Sequence, residues 1–239
     1  MRRRFFVNEV RNGHAHITGD DARHLTRVLR VEAGQRYEIS DNRHVYLAEI
    51  ETARKENVVF RTLEQFPEAA PSARLELFAA LIKFDRFEWI VEKATELGVT
   101  EIVPVEATRS DRGLEKAAPK RMERWRRIAL EASQQSRRPH LPEISEPVPL
   151  AAALARRATY RYVLDENPET GPIMDALPRS RSAEDIVAVL TGPEGGWTEE
   201  ERVSFVGAGW TPVSLGPLIL RAETAALAAL AVISQAWPK

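Results

Sequence analysis

Two short loops of the sequence carry the residues that are best suited to chemistry. The first is TGPEGGWTEEE, Thr191 to Glu201, whose glycines would let a ligand approach bare backbone between a buried strand and a helix. Thr198 followed by Glu201 is typical of a capping box at a helix start, and the other carboxylates there suit the helix dipole. A phosphate would be repelled by these carboxylates, so the loop favours a ligand that is neutral or cationic near its reactive centre. Taken alone, the loop is better explained as a plain strand-to-helix turn.

The second loop is SLGPLILRAET, Ser214 to Thr224, which repeats the order of strand, glycine turn and helix start. Loops that follow the strands of a parallel sheet lie at its carboxyl edge, where ligands bind in α/β proteins. Leu218, Ile219 and Leu220 could form an apolar wall for a flat group of the size of adenine, while backbone amides contact the edge of that group. Arg221 marks the point where this wall gives way to charge.

The pattern of the chain predicts two domains, 1–68 and 74–239. Short strand-like segments up to about Glu64 predict a small β-barrel or sheet with one helix, Asp20 to Arg30. The stretch from Glu64 to Ala73 holds two prolines among small residues and is typical of a linker. Strand-like and helix-like segments then alternate, which predicts an α/β domain with a mostly parallel sheet.

The composition excludes several kinds of chemistry. The 239 residues include no cysteine, which excludes disulfides, thiolate metal sites and a cysteine nucleophile. The basic amino terminus lacks the apolar run of a signal peptide, and no segment has the roughly 18 apolar residues of a membrane span. We therefore expect a soluble, cytoplasmic protein that binds no metal.

Basic residues cluster although the formal net charge is only -1, from 34 Lys and Arg against 35 Asp and Glu. The first thirty residues hold seven arginines against three acids, and residues 116–138 hold eight basic residues against two acids. Such a local excess predicts a basic surface for a phosphate backbone. The alternative is a helix face that only exposes its charges to water.

The two loops together resemble the signature of the RsmE family, the 16S rRNA (uracil1498-N3)-methyltransferases of the SPOUT superfamily. Other segments resemble the family in the same order along the chain, namely HLTRVLRVEAG, LIKFDRFEWIVEKATELGVTEIVPVEATRS and EASQQSRRPHLPEI. One mild departure is that Trp197 and Thr198 stand where the family usually has a phenylalanine and a small hydroxyl residue.

This resemblance implies the fold and the reaction. The expected fold is α/β, with an N-terminal PUA-like RNA-binding β-barrel and a C-terminal SPOUT domain that contains a deep trefoil knot. The expected reaction transfers a methyl group from S-adenosylmethionine to N3 of a uridine in 16S ribosomal RNA, either free or in the small ribosomal subunit. The alternatives are a related enzyme that acts on another RNA or on ribose, and a non-catalytic RNA-binding protein.

The resemblance also implies a homodimer. The last helix, AETAALAALAVISQAW, is apolar on nearly all sides. This pattern is typical of a helix buried in its own domain or of one packed across a subunit interface, and the sequence leaves both readings open.

Arg221 and Glu194 are the expected catalytic residues. Arg221 could stabilise the charge that spreads onto the uracil oxygens as N3 loses its proton, or it could form a salt bridge with Glu223 or another carboxylate instead. Glu194 could orient the substrate or accept its proton, or it could cap local amides instead. Methylation at a ring nitrogen needs no cysteine nucleophile, in agreement with the composition.

The resemblance assigns the remaining site residues to the donor and to RNA. The residues expected to bind the donor are Leu190, Thr191, Gly192, Gly195, Gly196, Ser214, Leu215, Gly216, Leu218, Ile219 and Leu220. The residues expected to bind RNA are Arg4, Arg30, Lys83, Arg109, Arg137 and Arg138.

Overall fold

The strands form two separate sheets in the computed structural model, which describes residues 3–68, 70 and 72–237. The chain divides into two compact units, which are Met1–Ala69 with Ser133–Leu141 and Ala70–Ala132 with Pro142–Lys239. Parts of the predicted domains and linker lie outside the described residues, namely residues 1, 2, 69, 71, 238 and 239.

The first unit is built on a curled five-stranded sheet. Its elements are β1 (Arg4–Phe6), β2 (His14–Thr18), α1 (Gly19–Arg27), β3 (Arg36–Ser40), β4 (Val45–Arg54) and β5 (Asn57–Gln65). The strand order is β1-β3-β4-β5-β2, in which only the β1–β3 pair is parallel. Two irregularities in the β4–β5 register add the local twist that bulges give to a sheet.

The core of the first unit lies between this sheet and α1. Phe5, Ile39 and Phe60 are fully buried, and α1 adds Leu25 to the same cluster. The predicted helix, Asp20 to Arg30, is shorter than expected because α1 ends at Arg27. Val28, just beyond it, is exposed.

The segment 133–141 is part of the first unit, although the sequence pattern placed it in the second domain. The Ser40 hydroxyl donates a hydrogen bond of 2.6 Å to the Pro139 carbonyl, and the Leu141 amide donates one of 2.7 Å to the Asn42 side chain. These partners lie 99 positions apart in the chain, so no local pattern could indicate the pairing.

The second unit is an α/β unit with a parallel sheet. Its elements are β6 (Arg74–Ala80), α2 (Phe84–Glu96), β7 (Glu101–Glu106), α3 (Leu114–Ala117), a 3-10 turn (Ala118–Arg121), α4 (Met122–Ser136, whose last residues belong to the first unit), β8 (Glu143–Ile144), β9 (Val148–Pro149), α5 (Leu150–Leu154), β10 (Tyr160–Leu164), α6 (Ile173–Ala176), β11 (Ile186–Thr191), α7 (Glu199–Gly207), β12 (Thr211–Val213) and α8 (Ala222–Ala236). The strand order is β12-β10-β11-β6-β7-β8, with β9 also paired to β7, and all of these pairs are parallel. The predicted mostly parallel sheet is confirmed.

Both faces of this sheet are covered, which explains the continuous apolar strands of the sequence. Neighbouring residues of β6 point to opposite faces, so Leu77 joins the cluster with α2 and α8 while Phe78 joins the cluster with α5 and α7. The last helix, α8, packs against α2, β6 and β11, so at least part of its apolar surface is buried within its own unit. The trefoil knot stays a prediction.

Two buried glutamates lie side by side in this sheet. Glu76 of β6 is paired in register with Glu101 of β7, and each is 3% exposed. Arg156 and Ser145 donate hydrogen bonds to Glu101, at 2.6 and 2.7 Å, whereas Glu76 contacts the more exposed Arg74 at 3.2 Å. Burial, and then the negative charge of Glu101, raise the pKa of Glu76 above its usual value.

We predict that Glu76→Gln increases stability at neutral pH. A raised folded pKa means that the contribution of Glu76 to stability is complete below its unfolded value near 4.5 and is lost as pH rises through the folded value. The substitution removes a buried charge and should raise the melting temperature at pH 7 by about 2–4 °C, the effect of roughly 1 kcal/mol in a chain of this size. Thermal unfolding from pH 4 to pH 8 measures it, with the exposed Glu123→Gln as control. A lower melting temperature at pH 7 would contradict the prediction.

Candidate active site

A cavity of about 480 Å³ lies in the second unit, at the carboxyl edge of the parallel sheet. Three adjacent strand ends form it, because β10 lies between β11 and β12 in the strand order. Its lining residues are Arg86, Leu164, Asp165, Glu166, the loop residues 192–196, Val213, Ser214, Leu215, Gly216, the residues 218–222 and Ala225. The two loops singled out by the sequence therefore meet in one site, as predicted.

Trp197 anchors the first loop. Its side chain is completely buried, and its indole N–H donates a hydrogen bond of 2.8 Å to the Leu164 carbonyl at the end of β10. The ring meets Phe205 of α7 edge to face, with 4.9 Å between the ring centroids. A Cβ on Gly192 would lie 2.9 Å from the Trp197 ring, so the indole itself requires glycine at this position.

The other two glycines of the first loop also lie close to neighbouring side chains. A Cβ on Gly195 would lie 3.0 Å from the Cβ of Arg109. Gly196 has a φ of +68°, which favours glycine, and a Cβ there would collide with the carboxylate of Glu166. The glycines thus serve the packing of the loop as well as leaving its backbone open to the cavity.

Two arginines hold the carbonyl groups of this loop. Arg109 donates hydrogen bonds to the Gly195 and Trp197 carbonyls, at 3.0 and 3.2 Å. Arg202 of α7 donates to the Trp197 carbonyl at 3.1 Å and also forms a two-pronged ion pair with Asp165. This pairing with Asp165 raises the pKa of Arg202. The sequence predicts that Arg109 binds RNA. This role stays a prediction, and the observed contacts of Arg109 are those with the loop carbonyls.

The predicted capping box is confirmed at the start of α7. The Glu201 amide donates to the Thr198 hydroxyl at 3.2 Å, and the Thr198 amide donates to the Glu201 carboxylate at 2.8 Å. The second oxygen of this buried carboxylate accepts a hydrogen bond of 2.8 Å from the Thr108 amide. Glu201 therefore fixes the helix start to the segment after β7.

The second loop turns at Gly216, whose φ of +119° lies in the region that favours glycine. The Gly216 amide donates to the Ser214 hydroxyl at 3.2 Å, and the backbone of Ser214 pairs with residues 171 and 173 just before and within α6. Leu218 and Ile219 are 77% and 86% exposed. Large apolar side chains that are exposed side by side are typical of a surface that a ligand or another protein covers.

The two arginines at this site, Arg86 and Arg221, differ in their ion pairs with carboxylates. Arg86, in the first turn of α2, forms an ion pair with Glu194 of the first loop and lies 4.0 Å from the buried Glu223 of α8. Arg221 is exposed, and no carboxylate of the described residues lies within ion-pair distance of it. The salt bridge between Arg221 and Glu223, one of the alternatives from the sequence, does not form.

Most of the predicted donor-binding residues line the cavity, and the exceptions are Leu190 and Thr191. Their side chains are buried at the end of β11 behind the first loop. The cavity is also lined by Arg86, Asp165 and Glu166, which were not predicted as site residues from the sequence. The two acids could have been found, since they directly follow the apolar strand YRYVL. Arg86 has no such signal, because its role depends on contacts with Glu194, 108 positions away, and with Glu223.

The residues expected to bind RNA divide between the two units. In the first unit, Arg4 donates to the buried Glu38 at 2.8 and 3.1 Å, and Arg137 pairs with the other oxygen of the same carboxylate. Burial lowers the pKa of Arg138 to about 10. Arg30 is exposed and has no ion-pair partner among the described residues. In the second unit, Lys83 is exposed at the start of α2.

Metal-binding and membrane-spanning features were also sought. The described part of the chain holds no group of three or more His, Asp or Glu side chains that could bind a metal ion. None of the helices in those residues has the length and apolar character needed to cross a membrane.

Known families and proteins match nearly the whole chain. The RNA methyltransferase domain family matches residues 68–234, and the RNA methyltransferase PUA domain family matches residues 17–63. The ribosomal RNA small subunit methyltransferase E of Bacillus subtilis is 32% identical over 230 residues, which cover 91% of this chain and 88% of that protein. The protein of the same name from Aquifex aeolicus is 29% identical over 229 residues, which cover 95% and 97% of the two chains.

Solved structures also match this chain. The crystal structure of ribosomal RNA small subunit methyltransferase E from Neisseria gonorrhoeae bound to S-adenosyl methionine matches with a TM-score of 0.87 and 29% identity, over 99% of this chain and 98% of that one. A methyltransferase from Legionella pneumophila in complex with the same cofactor also has a TM-score of 0.87, at 29% identity over all of both chains.

These matches define the class as RNA methyltransferases that combine a PUA domain with a parallel α/β domain. The chain belongs to the ribosomal RNA small subunit methyltransferase E family, the RsmE family that its sequence resembles. The predicted fold class is confirmed.

We predict that Gly196→Ala distorts the first loop. The substitution places a Cβ at a φ of +68°, a conformation that L-residues rarely adopt, so it should lower the free energy of unfolding by roughly 1–3 kcal/mol. Gly207→Ala is the matched control, because its Cβ would meet nothing within 4 Å and its φ is ordinary for an L-residue. Urea unfolding of both variants measures the difference. Equal stability of the two variants would contradict the prediction.

Proposed function

We propose that the protein transfers a methyl group from S-adenosylmethionine to N3 of a uridine in small-subunit ribosomal RNA. The observation that carries this proposal is the cavity itself, which both backbone-exposing loops line and in which Arg221 has no ion-pair partner among the described residues. Membership of the RsmE family supports the class of reaction.

The cavity fits the donor in size and in chemistry. A volume of about 480 Å³ is within the range of ordinary small-molecule sites. Gly192, Gly195 and Gly196 offer backbone groups, and Leu218 and Ile219 offer an uncovered apolar surface for a flat base. Glu194 and Glu166 also line the cavity, and such carboxylates suit a cationic sulfonium better than a phosphate.

Each predicted donor-binding residue has a place in this proposal. Ser214, Leu215 and Gly216 would border the donor on the side of the second loop, and Leu220 continues the apolar wall. Leu190 and Thr191 would act from behind, because their buried side chains hold the end of β11 in position. Glu166 is half-exposed at the cavity and could accept hydrogen bonds from ligand hydroxyl groups.

The proposed chemistry places a uracil beside Arg221. The bound donor supplies an electrophilic methyl group on sulfur. N3 of uridine loses its proton to solvent water and forms the bond to the methyl carbon as the carbon–sulfur bond breaks. The neutral thioether S-adenosylhomocysteine leaves, and no covalent bond to the protein is needed. The negative charge that spreads over the ring before transfer would be stabilised by the guanidinium of Arg221, in the manner of an oxyanion hole.

Glu194 is better suited to orienting than to accepting the proton. Its carboxylate is held by Arg86, so it is already engaged by a cation on α2. In this proposal Glu194 orients the substrate beside the glycine loop, which is one of the two functional roles that the sequence suggested for it.

The wider setting of the reaction belongs to the same proposal. A PUA domain family match over residues 17–63 supports RNA binding by the first unit. A homodimer would cover apolar surface that α8 and the second loop leave partly exposed. A cytoplasmic location agrees with a ribosomal substrate. The likeness to the RsmE structures supports the trefoil knot.

We predict that Arg221→Ala slows methyl transfer and leaves donor binding intact. Loss of one preorganised charge-stabilising group should lower the single-turnover rate by roughly a hundredfold. Arg221→Lys should recover only part of the rate, because lysine keeps the charge and loses the planar fork. The assay uses small ribosomal subunits, calorimetry for donor affinity, and mass spectrometry to identify the methylated atom. A variant that binds the donor poorly but reacts normally at saturation would place Arg221 in the donor site instead.

We predict that Arg30 and Arg4 respond differently to substitution. Arg30→Ala removes an exposed cation that has no ion-pair partner in the part of the chain that the structure describes, and it should reduce the slope of log affinity for RNA against log salt by about one. Arg4→Ala removes a partner of the buried Glu38 and should mainly lower the melting temperature. RNA titrations at several salt concentrations, with thermal unfolding of both variants, measure the two effects. An unchanged salt slope for Arg30→Ala would show that Arg30 contacts no phosphate.

A further inference from the structure

Arg86 contacts two carboxylates, Glu194, which lines the cavity together with Arg221, and Glu223, which follows Arg221 by two positions in the chain. Its Nη1 atom donates to Oε1 of Glu194, and its Nε atom lies 4.0 Å from Oε1 of Glu223. These three residues come from α2, the first loop and the first turn of α8. One guanidinium therefore joins three elements that meet at the cavity.

Glu223 depends on this arginine for its compensation. The residue is 7% exposed, and its Oε2 atom has no hydrogen-bond partner among the residues that the structure describes. A buried carboxylate that loses its only nearby cation is attracted strongly to any other cation within reach. The next arginine along the chain is Arg221, two positions before Glu223.

Glu194 has the same alternative. It lines the cavity together with Arg221, and its carboxylate is 38% exposed and held on one side by Arg86. If Arg86 were absent, Coulomb attraction would favour a new pair between Glu194 and Arg221. Such a pair would neutralise the cation that the proposed reaction requires.

We propose that Arg86 is a positioning residue that occupies Glu194 and Glu223 and so keeps the Arg221 guanidinium free for the substrate. The inference rests on the proposed function of Arg221. It assigns to Arg86 no contact with the reacting atoms, because its own guanidinium is taken up by the two carboxylates.

The test is a double-mutant cycle of Arg86→Ala and Glu194→Ala. Arg86→Ala alone should lower the single-turnover rate at saturating donor by roughly tenfold or more, because Glu194 then pairs with Arg221. In the Glu194→Ala background the same change should cost clearly less, since of the two carboxylates that Arg86 occupies only Glu223 is left to compete for Arg221. Donor affinity should stay within about twofold throughout. Rate losses that multiply independently, or a Glu194→Ala variant without measurable transfer, would overturn the proposal.

Two further variants keep the result specific. Lys93→Ala is the matched control, because Lys93 lies on the same helix, has a similar side-chain exposure of 33% against 32%, and also contacts two carboxylates, but does not line the cavity. Its rate should equal that of the wild type. Arg86→Lys keeps a cation at the position and should recover most of the rate lost in Arg86→Ala. Equal losses for Lys93→Ala and Arg86→Ala would overturn the proposal.

Stability is separated from positioning by a second background. Arg86→Ala leaves the buried charge of Glu223 uncompensated, and Glu223→Gln removes that charge. The double-mutant cycle of Arg86 and Glu194 is therefore repeated in protein that carries Glu223→Gln, so that all variants are measured in the folded state. The same dependence on Glu194 is expected, and its disappearance would count against the proposal.

A crystal structure of Arg86→Ala tests the inference without any activity. An ion pair of Arg221 with Glu194 or with Glu223 in that structure would support it, and an Arg221 side chain separate from both carboxylates would overturn it. If the wild-type protein methylates no uridine N3, only the proposed function is refuted. The inference about Arg86 is still tested, because the crystal structure shows the position of Glu194 in the variant without any reaction.

Discussion

The burial of Trp197 is the constraint on which the geometry of the active site depends. Removing a buried tryptophan typically costs about 3–5 kcal/mol, so its indole holds the first loop firmly against the sheet. The hydrogen bond from the indole N–H to Leu164 joins this loop to the end of β10. Once the ring is in place, glycine is the only residue type that fits beside it at position 192. A loop that looks designed for flexibility in the sequence is therefore held rigid by its own neighbours.

Charged groups complete this rigidity. Arg109 and Arg202 hold loop carbonyls from two sides, and Glu201 fixes the following helix to the segment after β7. A backbone with its carbonyls already bonded cannot rearrange without losing several hydrogen bonds together. Electrostatic stabilisation of a reacting group requires donors that are oriented beforehand. The contacts behind the cavity provide this orientation, and the cavity side of the loop is left open to a ligand.

Features that depend on neighbouring residues in the chain could be predicted from the sequence. The capping box of Thr198 and Glu201, the parallel sheet and the meeting of the two loops follow from spacing and periodicity. The roles of Arg86 and of the segment 133–141 could not be predicted, because their partners are 108 and 99 positions distant. The side-chain partners of an arginine are decided by the fold, and an arginine on a helix carries the same local pattern whether it faces water, a carbonyl or a carboxylate.

This limit also affects how clusters of basic residues are interpreted. The sequence suggests that Arg4 and Arg137 belong to a surface for phosphates, but both share the carboxylate of Glu38. Each of these guanidinium groups is thus partly neutralised by a buried anion, which reduces its attraction to a phosphate, and RNA binding by either arginine stays a prediction. Arg30 has no such partner within the described ranges, so its full charge is available. The same reasoning applies within the cavity, where Arg86 is occupied by acids and Arg221 is not. The availability of a cation for RNA or for a reacting base is therefore decided by the carboxylates around it, and the number of arginines in a segment does not measure it.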